Sequence, residues 1–412
     1  MTLLSTLKYW LWLTTRKGLG TLTAVRLLDR FGTAESVYFA DEREYEFIDA
    51  LSASGKNSLR DKDLKGTERI LADCDGLGLR MLTIQDAEYP DRLRNIADPP
   101  LLLYVRGKLP PVDEKLVVSV VGARDATAYG SRAAASIAMD LARAGVVLCS
   151  GVAVGIDTAA IKGALSAGGT VLSVLAGGLD VHQNRANAYL YDDIAASGAL
   201  LSEYPPGTPH SGGHYRPRNR IISGLSEGVL VVEGGMASGA LITAHAALEQ
   251  GREVFAIPGN VDAPMSAAPN RLIHDQEAQA VRSARDILAE FSVRYPLQGA
   301  MEPLQGEEKR QRLEAALEEI TPPRSSAPAE RDGEARPEEG TPLLDAEAQR
   351  SLTDDQRDLL AALGDRPRHP DELVEQTQIP MRRVLSALTL LQLRGYIKEE
   401  TGRRFSALIR LE

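Results

Sequence analysis

Six short apolar runs separated by longer amphipathic or glycine-rich stretches fill the middle of this chain, at residues 116–121, 146–149, 170–175, 199–202, 228–232 and 253–257. Residues 132–143 and 240–250, which lie between such runs, have helical periodicity. This alternation is the signature of βαβ units. It predicts an α/β domain built on a Rossmann-like, doubly wound, mostly parallel sheet. Residues 79–84 read as a further strand, and 90–107 as an extended lead-in.

The chain has 412 residues, and at about 150 residues per domain this gives two to three domains. Residues 1–75 read as a small helical domain of helix-hairpin-helix type. An apolar run to Leu13 is followed by Gly18-Leu19-Gly20, a helical repeat at Ala24, Val25, Leu27 and Leu28, and a stop at Phe31-Gly32-Thr33. The glycines of such a hairpin either offer amides to a DNA phosphate or simply permit a tight turn. The Rossmann-like domain spans 76–295. Residues 296–350 hold seven prolines and 13 acidic against 7 basic side chains, a composition that reads as a linker. The remaining 351–412 show three helical stretches and a strand-like hairpin, the order of a winged helix. Its recognition helix would be 381–394, with Arg382, Arg383 and Arg394 available to phosphates and 401–404 as the wing tip. Acidic and basic residues balance there at ten each, so protein contact and DNA contact both remain open.

Composition excludes several classes. Hydrophobic residues are 43% and charged residues 25%, ordinary for a globular chain. No apolar run approaches the ~20 residues of a spanning helix, and the first 13 residues read as a core helix, not a signal peptide. Two cysteines, Cys74 and Cys149, are too few for a disulfide framework or a zinc site and suggest a reducing compartment, by default the cytoplasm. The net charge of −10 argues against a strongly basic overall field. Since the linker alone carries −6 of it (7 basic minus 13 acidic), the folded parts are nearly neutral and any anion site must be local.

In an open parallel sheet, ligands sit at the carboxyl ends of the strands. Those ends read Gly122-Ala123-Arg124, Ser150-Gly151, Ala176-Gly177-Gly178, Ser202-Glu203, Glu233-Gly234-Gly235 and Pro258-Gly259. Small residues at every end let an anion approach backbone amides and helix dipoles, which points to phosphate. Glycine is also common in such turns for geometry alone. Neither a Gly-x-Gly-x-x-Gly turn nor a P-loop motif is present, which disfavours a dinucleotide cofactor and a P-loop ATPase; no cofactor is expected. The scattered histidines offer no metal set, and Ser150 lacks the surroundings of a nucleophile. The most informative stretch is His214-Tyr215-Arg216-Pro217-Arg218-Asn219-Arg220, where arginines able to fork onto phosphates flank an aromatic ring able to stack on a base. The alternative is a solvated turn whose arginines pair with carboxylates.

From Tyr89 to Ile287 the chain resembles the DNA-processing protein A family, DprA, also called Smf. The matching motifs include Val121-Gly122-Ala123-Arg124, Ser150-Gly151-Val152-Ala153-Val154-Gly155-Ile156-Asp157, Gly178-Leu179-Asp180 with Asn187, Ser202-Glu203-Tyr204-Pro205, Arg218-Asn219-Arg220 and Ser238-Gly239-Ala240-Leu241-Ile242-Thr243. The resemblance implies a protein, usually a homodimer, that binds and protects single-stranded DNA and loads RecA recombinase on strands entering by natural transformation. A single-strand-binding protein is a further expected partner, and no membrane is expected. Carried over by position, Arg124 is expected to hold a phosphate, Ser150 and Gly151 to offer a hydroxyl and an amide, and Arg218, Asn219 and Arg220 to form the second wall. Asn187, Tyr215, Arg216 and Ser238 complete the expected DNA-binding set, with no catalytic residue and no metal.

The chain departs from the family pattern at Val154, where a basic residue is common, at Ile161, at Gln183-Asn184, at Tyr215-Arg216 and at Gln276-Glu277. Arg216 and Arg185 are candidates to replace the missing charge. Residues 271–291 are a candidate dimer surface. Two other readings stand beside this one. An enzyme similar to the lysine-decarboxylase-like phosphoribohydrolases would use Glu233, Asp157 or Glu203; a scaffold would use only the winged helix and the linker.

Overall fold

The structure is a computed structural model that describes residues 3–49, 51–184, 187–296, 306–318, 352–363, 368–377, 379–394, 396–400 and 404–409. It comprises two compact units, Met1–Ser325 and Ser326–Glu412.

The first unit opens with α1 (Leu3–Thr14), α2 (Thr21–Phe31), α3 (Ala34–Phe39), a 3-10 turn at Glu42–Phe47, α4 (Ala53–Arg60) and α5 (Lys65–Gly76). Trp12, Leu27 and Leu59 are fully buried in it. At the α1–α2 turn, Gly18 has φ +74°, and a Cβ there would lie 2.6 Å from Ser54 Oγ. A tight turn against α4 therefore accounts for this glycine.

The sheet contains β1 (Arg80–Thr83), β2 (Leu102–Gly107), β3 (Val117–Val121), β4 (Val147–Ser150), β5 (Val171–Leu175), β6 (Ala199–Ser202), β7 (Gly228–Val231), β8 (Glu253–Ala256) and β9 (Gln279–Ala280). Their order across the sheet is β1-β2-β6-β5-β4-β3-β7-β8-β9. The strands from β6 to β9 are mutually parallel, whereas β2 runs antiparallel to β6 and β1 antiparallel to β2. All six apolar runs are strands. The stretch read as an extended lead-in supplies a short helix, α6 (Asp91–Arg94), and strand β2.

Alternate residues of each strand face opposite sides, and both sides are apolar. Val118, Val120, Leu148, Leu200 and Leu230 join one core, and Val117, Val121, Val147, Leu201 and Val229 the other. On the first side lie α7 (Ala128–Arg143), α8 (Ile156–Ser166), α9 (Ala188–Ser197) and α13 (Ala284–Phe291), in one continuous core with the N-terminal helices. On the second lie α6, α10 (Gly212–Leu225), α11 (Gly239–Glu249) and α12 (Ala267–His274). From β3 the chain steps outward through β4, β5 and β6, then returns to place β7 and β8 on β3's other flank. The connections after β3 and β7 thus leave toward opposite faces. A crevice between them follows from this topology.

Within the stretch expected to be a linker, Gly306–Glu318 forms a helix, α14, that packs on α7 and α8, with Lys309 Nζ 2.6 Å from Asp140 Oδ2. Its Glu, Arg, Ala and Leu residues are good helix formers. The pairs Arg310–Glu314 and Arg312–Glu308, four residues apart, add support along its surface. The acidic composition concealed that pattern. Residues 319–350 lie outside the described residues.

The second unit packs α15 (Asp354–Leu363), α16 (Pro370–Thr377) and α17 (Met381–Leu393) around Leu359, Leu373, Val384, Leu388 and Leu391, and ends in the hairpin of β10 (Ile397–Glu400) and β11 (Arg404–Ala407). This is the winged-helix arrangement. On its recognition helix, Arg383 donates to both carboxylate oxygens of Asp355 at 2.8 and 2.7 Å. Arg404 lies 3.6 Å from Glu372. The side chain of Arg382 and the wing tip at 401–403 lie outside the described residues. Among the described residues, no helix is long and apolar enough to cross a membrane.

Candidate nucleic-acid interface

The crevice at the carboxyl ends of β3 and β7 is a cleft of about 320 Å³. The β3 loop contributes Gly122, Arg124 and Asp125, the β4 loop Ala153, and the first turn of α8 Asp157. Helix α10 contributes Tyr215, Arg218 and Asn219, and the start of α11 Ser238, Gly239 and Thr243. The first two loops interlock. Gly155 has φ +85°, and a Cβ on it would sit 2.3 Å from the carbonyl oxygens of both Ala123 and Arg124, so only glycine lets the turn before α8 close beneath the β3 loop.

Arg124 is exposed, and its guanidinium lies 4.8 Å from the ring centre of Tyr215. Among the described residues it forms no ion pair, so its charge is held by a ring and left for a ligand. Arg218 forms the floor. It is 5% exposed; its Nε donates to Asn219 Oδ1 at 3.1 Å, and its Nη1 donates to the carbonyls of Gly151 at 3.0 Å and of Val174. Its Nη2 has no acceptor among the described residues. Behind it, Asp157 accepts from the Gly151 amide at 3.2 Å. Burial pushes the Asp157 carboxyl up to about 6 against the opposing pull of Arg218. Burial likewise lowers Arg218, while Asp157 raises it. Ser238 caps α11, its Oγ accepting from the Ala240 amide at 3.2 Å. The cleft thus combines an exposed cation, a buried cation, an aromatic face and a helix N-terminus. That set suits a phosphate joined to a base.

Of the ten expected site residues, Arg124, Tyr215, Arg218, Asn219 and Ser238 meet around this cleft. Arg216 is exposed on α10 but is not among the cleft-lining residues. Arg185 lies outside the described residues. Four expectations are corrected. Ser150 is fully buried and its Oγ donates to the Val120 carbonyl at 2.8 Å, so it offers no hydroxyl. The Gly151 amide is taken by Asp157, and a Cβ at Gly151 would lie 2.5 Å from Arg218 Nη1. This glycine is needed so that Arg218 can pass beneath it. Asn187, 5% exposed, donates from Nδ2 to Thr158 Oγ1 at 2.8 Å and to the Val152 carbonyl at 3.3 Å. It braces Val152, a β-branched residue held at φ +55°. Arg220 turns away from the cleft to Glu203 at 2.8 Å and Asp98 at 2.9 Å, the carboxylate pairing weighed as the alternative for this stretch.

The acids nominated for catalysis are likewise engaged. Glu233 accepts from the Thr127 hydroxyl at 2.6 Å and amide at 2.9 Å, tying the β7 loop to the start of α7. Glu203 is held by Arg220, and Asp157 lies under the β4 loop. Asp157 beside Arg218 matches the arginine-partner alternative to its nomination as a catalytic acid.

Fold and cleft together define an α/β protein with a cationic, aromatic-lined cleft at a topological switch point, in a chain that also carries a winged helix. Residues 80–292 match the family described as DNA recombination-mediator protein A, and residues 344–403 match the DprA winged helix domain. DNA processing protein DprA of Bacillus subtilis (strain 168) is 42% identical over 226 residues, 55% of this chain and 76% of that one. Protein Smf of Synechocystis sp. is 30% identical over 410 residues, covering 96% of this chain and 98% of its own. The X-ray structure of DNA processing protein A (DprA) from Streptococcus pneumoniae superposes with a TM-score of 0.61 at 32% identity, over 69% of this chain and 97% of that one. The chain belongs to the DNA recombination-mediator protein A (DprA/Smf) family, as its motifs suggested.

Proposed function

We propose that this protein binds single-stranded DNA in the cleft between the β3 and β7 loops, shields it, and passes it to a RecA-type recombinase during uptake of DNA. The observation that carries the reading is the pairing of Arg124 with the Tyr215 ring at the mouth of the cleft. Arg124 and Arg218 are assigned to phosphate, Tyr215 to a base, and Asn219 and Ser238 to polar contacts along the backbone. Arg216 adds a cation beside the cleft. Binding of this kind reads little sequence, because phosphate and stacking contacts are common to all bases. A body with four or five phosphate contacts should show a salt slope no steeper than about −3.5. A homodimer, or several copies along one strand, would raise the affinity through effective concentration. A cytoplasmic setting, and contact with a single-strand-binding protein, belong to the same reading.

The test is fluorescence anisotropy with a labelled single strand and its duplex at two salt concentrations. It compares the full chain with a chain ending at Ser325, which keeps the docked helix α14. Preference for the single strand by both is the expected result. Absence of single-strand binding by both would remove the reading and leave nucleotide hydrolysis as the next assay.

A further inference from the structure

Three of the chain's six histidines, His182, His210 and His214, gather beyond the cleft at the carboxyl ends of β5 and β6. His214 directly precedes Tyr215, and its ring lies parallel to that of Tyr204, with centroids 4.2 Å apart and planes 20° apart. Its Nδ1 faces the Ala176 carbonyl at 3.2 Å; since a carbonyl only accepts, the proton sits on Nδ1. Nε2 has no partner among the described residues. The exposed His182 stands edge-on to Tyr191, with centroids 4.7 Å apart. His210 is different in kind. Its Nε2 donates to the Val181 carbonyl at 2.8 Å and joins the two loops, while its Nδ1 is buried without a partner. Burial first, against the raising effect of its bond to Val181, and then Arg218, His214 and His182 hold its imidazole below the ordinary range.

Charges of both signs border this cluster. Arg218 faces it from α10. Asp180 accepts from the Gly207 amide at 2.8 Å and keeps its negative charge, Glu203 is paired with Arg220 at 2.8 Å, and Asp157 lies by Arg218. The surface thus pairs a stacked aromatic platform with two imidazoles, with Asp180 as its charged carboxylate neighbour.

Resting on the strand-binding reading above, we propose that the loops after β5 and β6 form a second nucleotide subsite. The His214–Tyr204 stack carries the base next to the one on Tyr215, and the His182 and His214 imidazoles meet its phosphate. Imidazoles gain charge between pH 8 and pH 5, so this subsite strengthens as the solution is acidified, whereas arginine contacts do not change.

The test measures binding of oligothymidylates to the full chain at pH 8 and pH 6 over a range of salt. Each histidine that becomes a phosphate contact should steepen the log–log salt slope by about 0.7. The wild type should therefore be steeper at pH 6, with several-fold tighter binding at low salt. The doubly substituted His182→Gln, His214→Gln protein should lose that steepening. Asp157 also takes up a proton near pH 6 but is common to both proteins, so their difference isolates the histidines. A second readout needs no substitution. The imidazole NMR signals of His182 and His214 should shift on addition of oligothymidylate at fixed pH. If the wild type binds no strand at either pH, the cleft reading itself fails. If it binds, and either the double variant keeps the pH-dependent slope or the imidazole signals ignore the oligonucleotide, this subsite alone is overturned.

Discussion

The guanidinium of Arg124 rests 4.8 Å from the ring centre of Tyr215, bringing the loop after β3 into contact with the first turns of α10. Each side chain preorganises the other: the ring holds the cation near the cleft mouth, and the cation keeps the ring from collapsing into it. Arg124→Ala should weaken single-strand binding about tenfold or more and make the salt slope shallower by about 0.7, the share of one phosphate contact. Arg124 is exposed and unpaired among the described residues, so the thermal midpoint should stay within experimental scatter. Anisotropy and a thermal melt of the same sample check both halves; a loss of binding accompanied by a large loss of stability would count against a direct contact.

Arg220 gives the opposite pattern. Its bond to Glu203 at 2.8 Å lies away from the cleft, in a place where burial raises the Glu203 carboxyl. Arg220→Met would leave that carboxyl without its partner and should lower stability by about 1–3 kcal/mol. The salt slope of strand binding should not move. Urea unfolding followed alongside anisotropy separates the two effects, and a slope shallower by about 0.7 would return Arg220 to the binding wall.

Asp157 makes a prediction about pH. Its folded-state pKa is raised by burial to about 6 from an ordinary 3.8, so between these values the folded protein holds a proton that the unfolded chain has released. Stability from this group is full below the unfolded value and is lost as pH rises through the folded one. A shift of this size is about 2–3 kcal/mol. The unfolding free energy of wild type relative to Asp157→Asn, from urea titrations at pH 4 to 7, should fall by about 2–3 kcal/mol as pH rises across the window. Parallel curves would show that Asp157 does not titrate there.

Much of this fold was legible because both cores use the same pattern. Val118 and Val120 face one side and Val117 and Val121 the other, which is what an unbroken apolar run between two helical stretches means. The site was legible only as a neighbourhood. Arg218 and Arg220 are two residues apart on α10, about 200° around a helix, so one passes under Gly151 while the other reaches Glu203. No local pattern says which of the two faces the ligand. Ser150 and Asn187 misled for a related reason. They belong to family motifs, and a motif records both the residues that touch a ligand and those, like Asn187 under Val152, that hold the touching loop in place. Helix α14 was obscured by the acidic, proline-rich composition around it.

One departure from the family pattern has a backbone explanation and yields the simplest test of the fold. Gln276, in the Gln276-Glu277 departure, has φ +61°. It follows α12, whose end is closed by two bonds: the Glu277 amide donates to Leu272 O at 2.9 Å and the Gln276 amide to Ile273 O at 3.2 Å. This pair of reversed bonds is the Schellman cap, whose αL position favours glycine because a Cβ there crowds the backbone. Strain relief at such a site is about 1–2 kcal/mol and is partly offset by the greater freedom of glycine in the unfolded chain. Gln276→Gly should therefore stabilise the first unit by up to about 1 kcal/mol, and Gln276→Val, which adds β-branching, should destabilise it. The only two tryptophans, Trp10 and Trp12, lie in the N-terminal bundle, whose core is continuous with the sheet. Their fluorescence in urea reports this equilibrium directly, and a glycine variant less stable than wild type would show that the Gln276 side chain contributes contacts worth more than the strain.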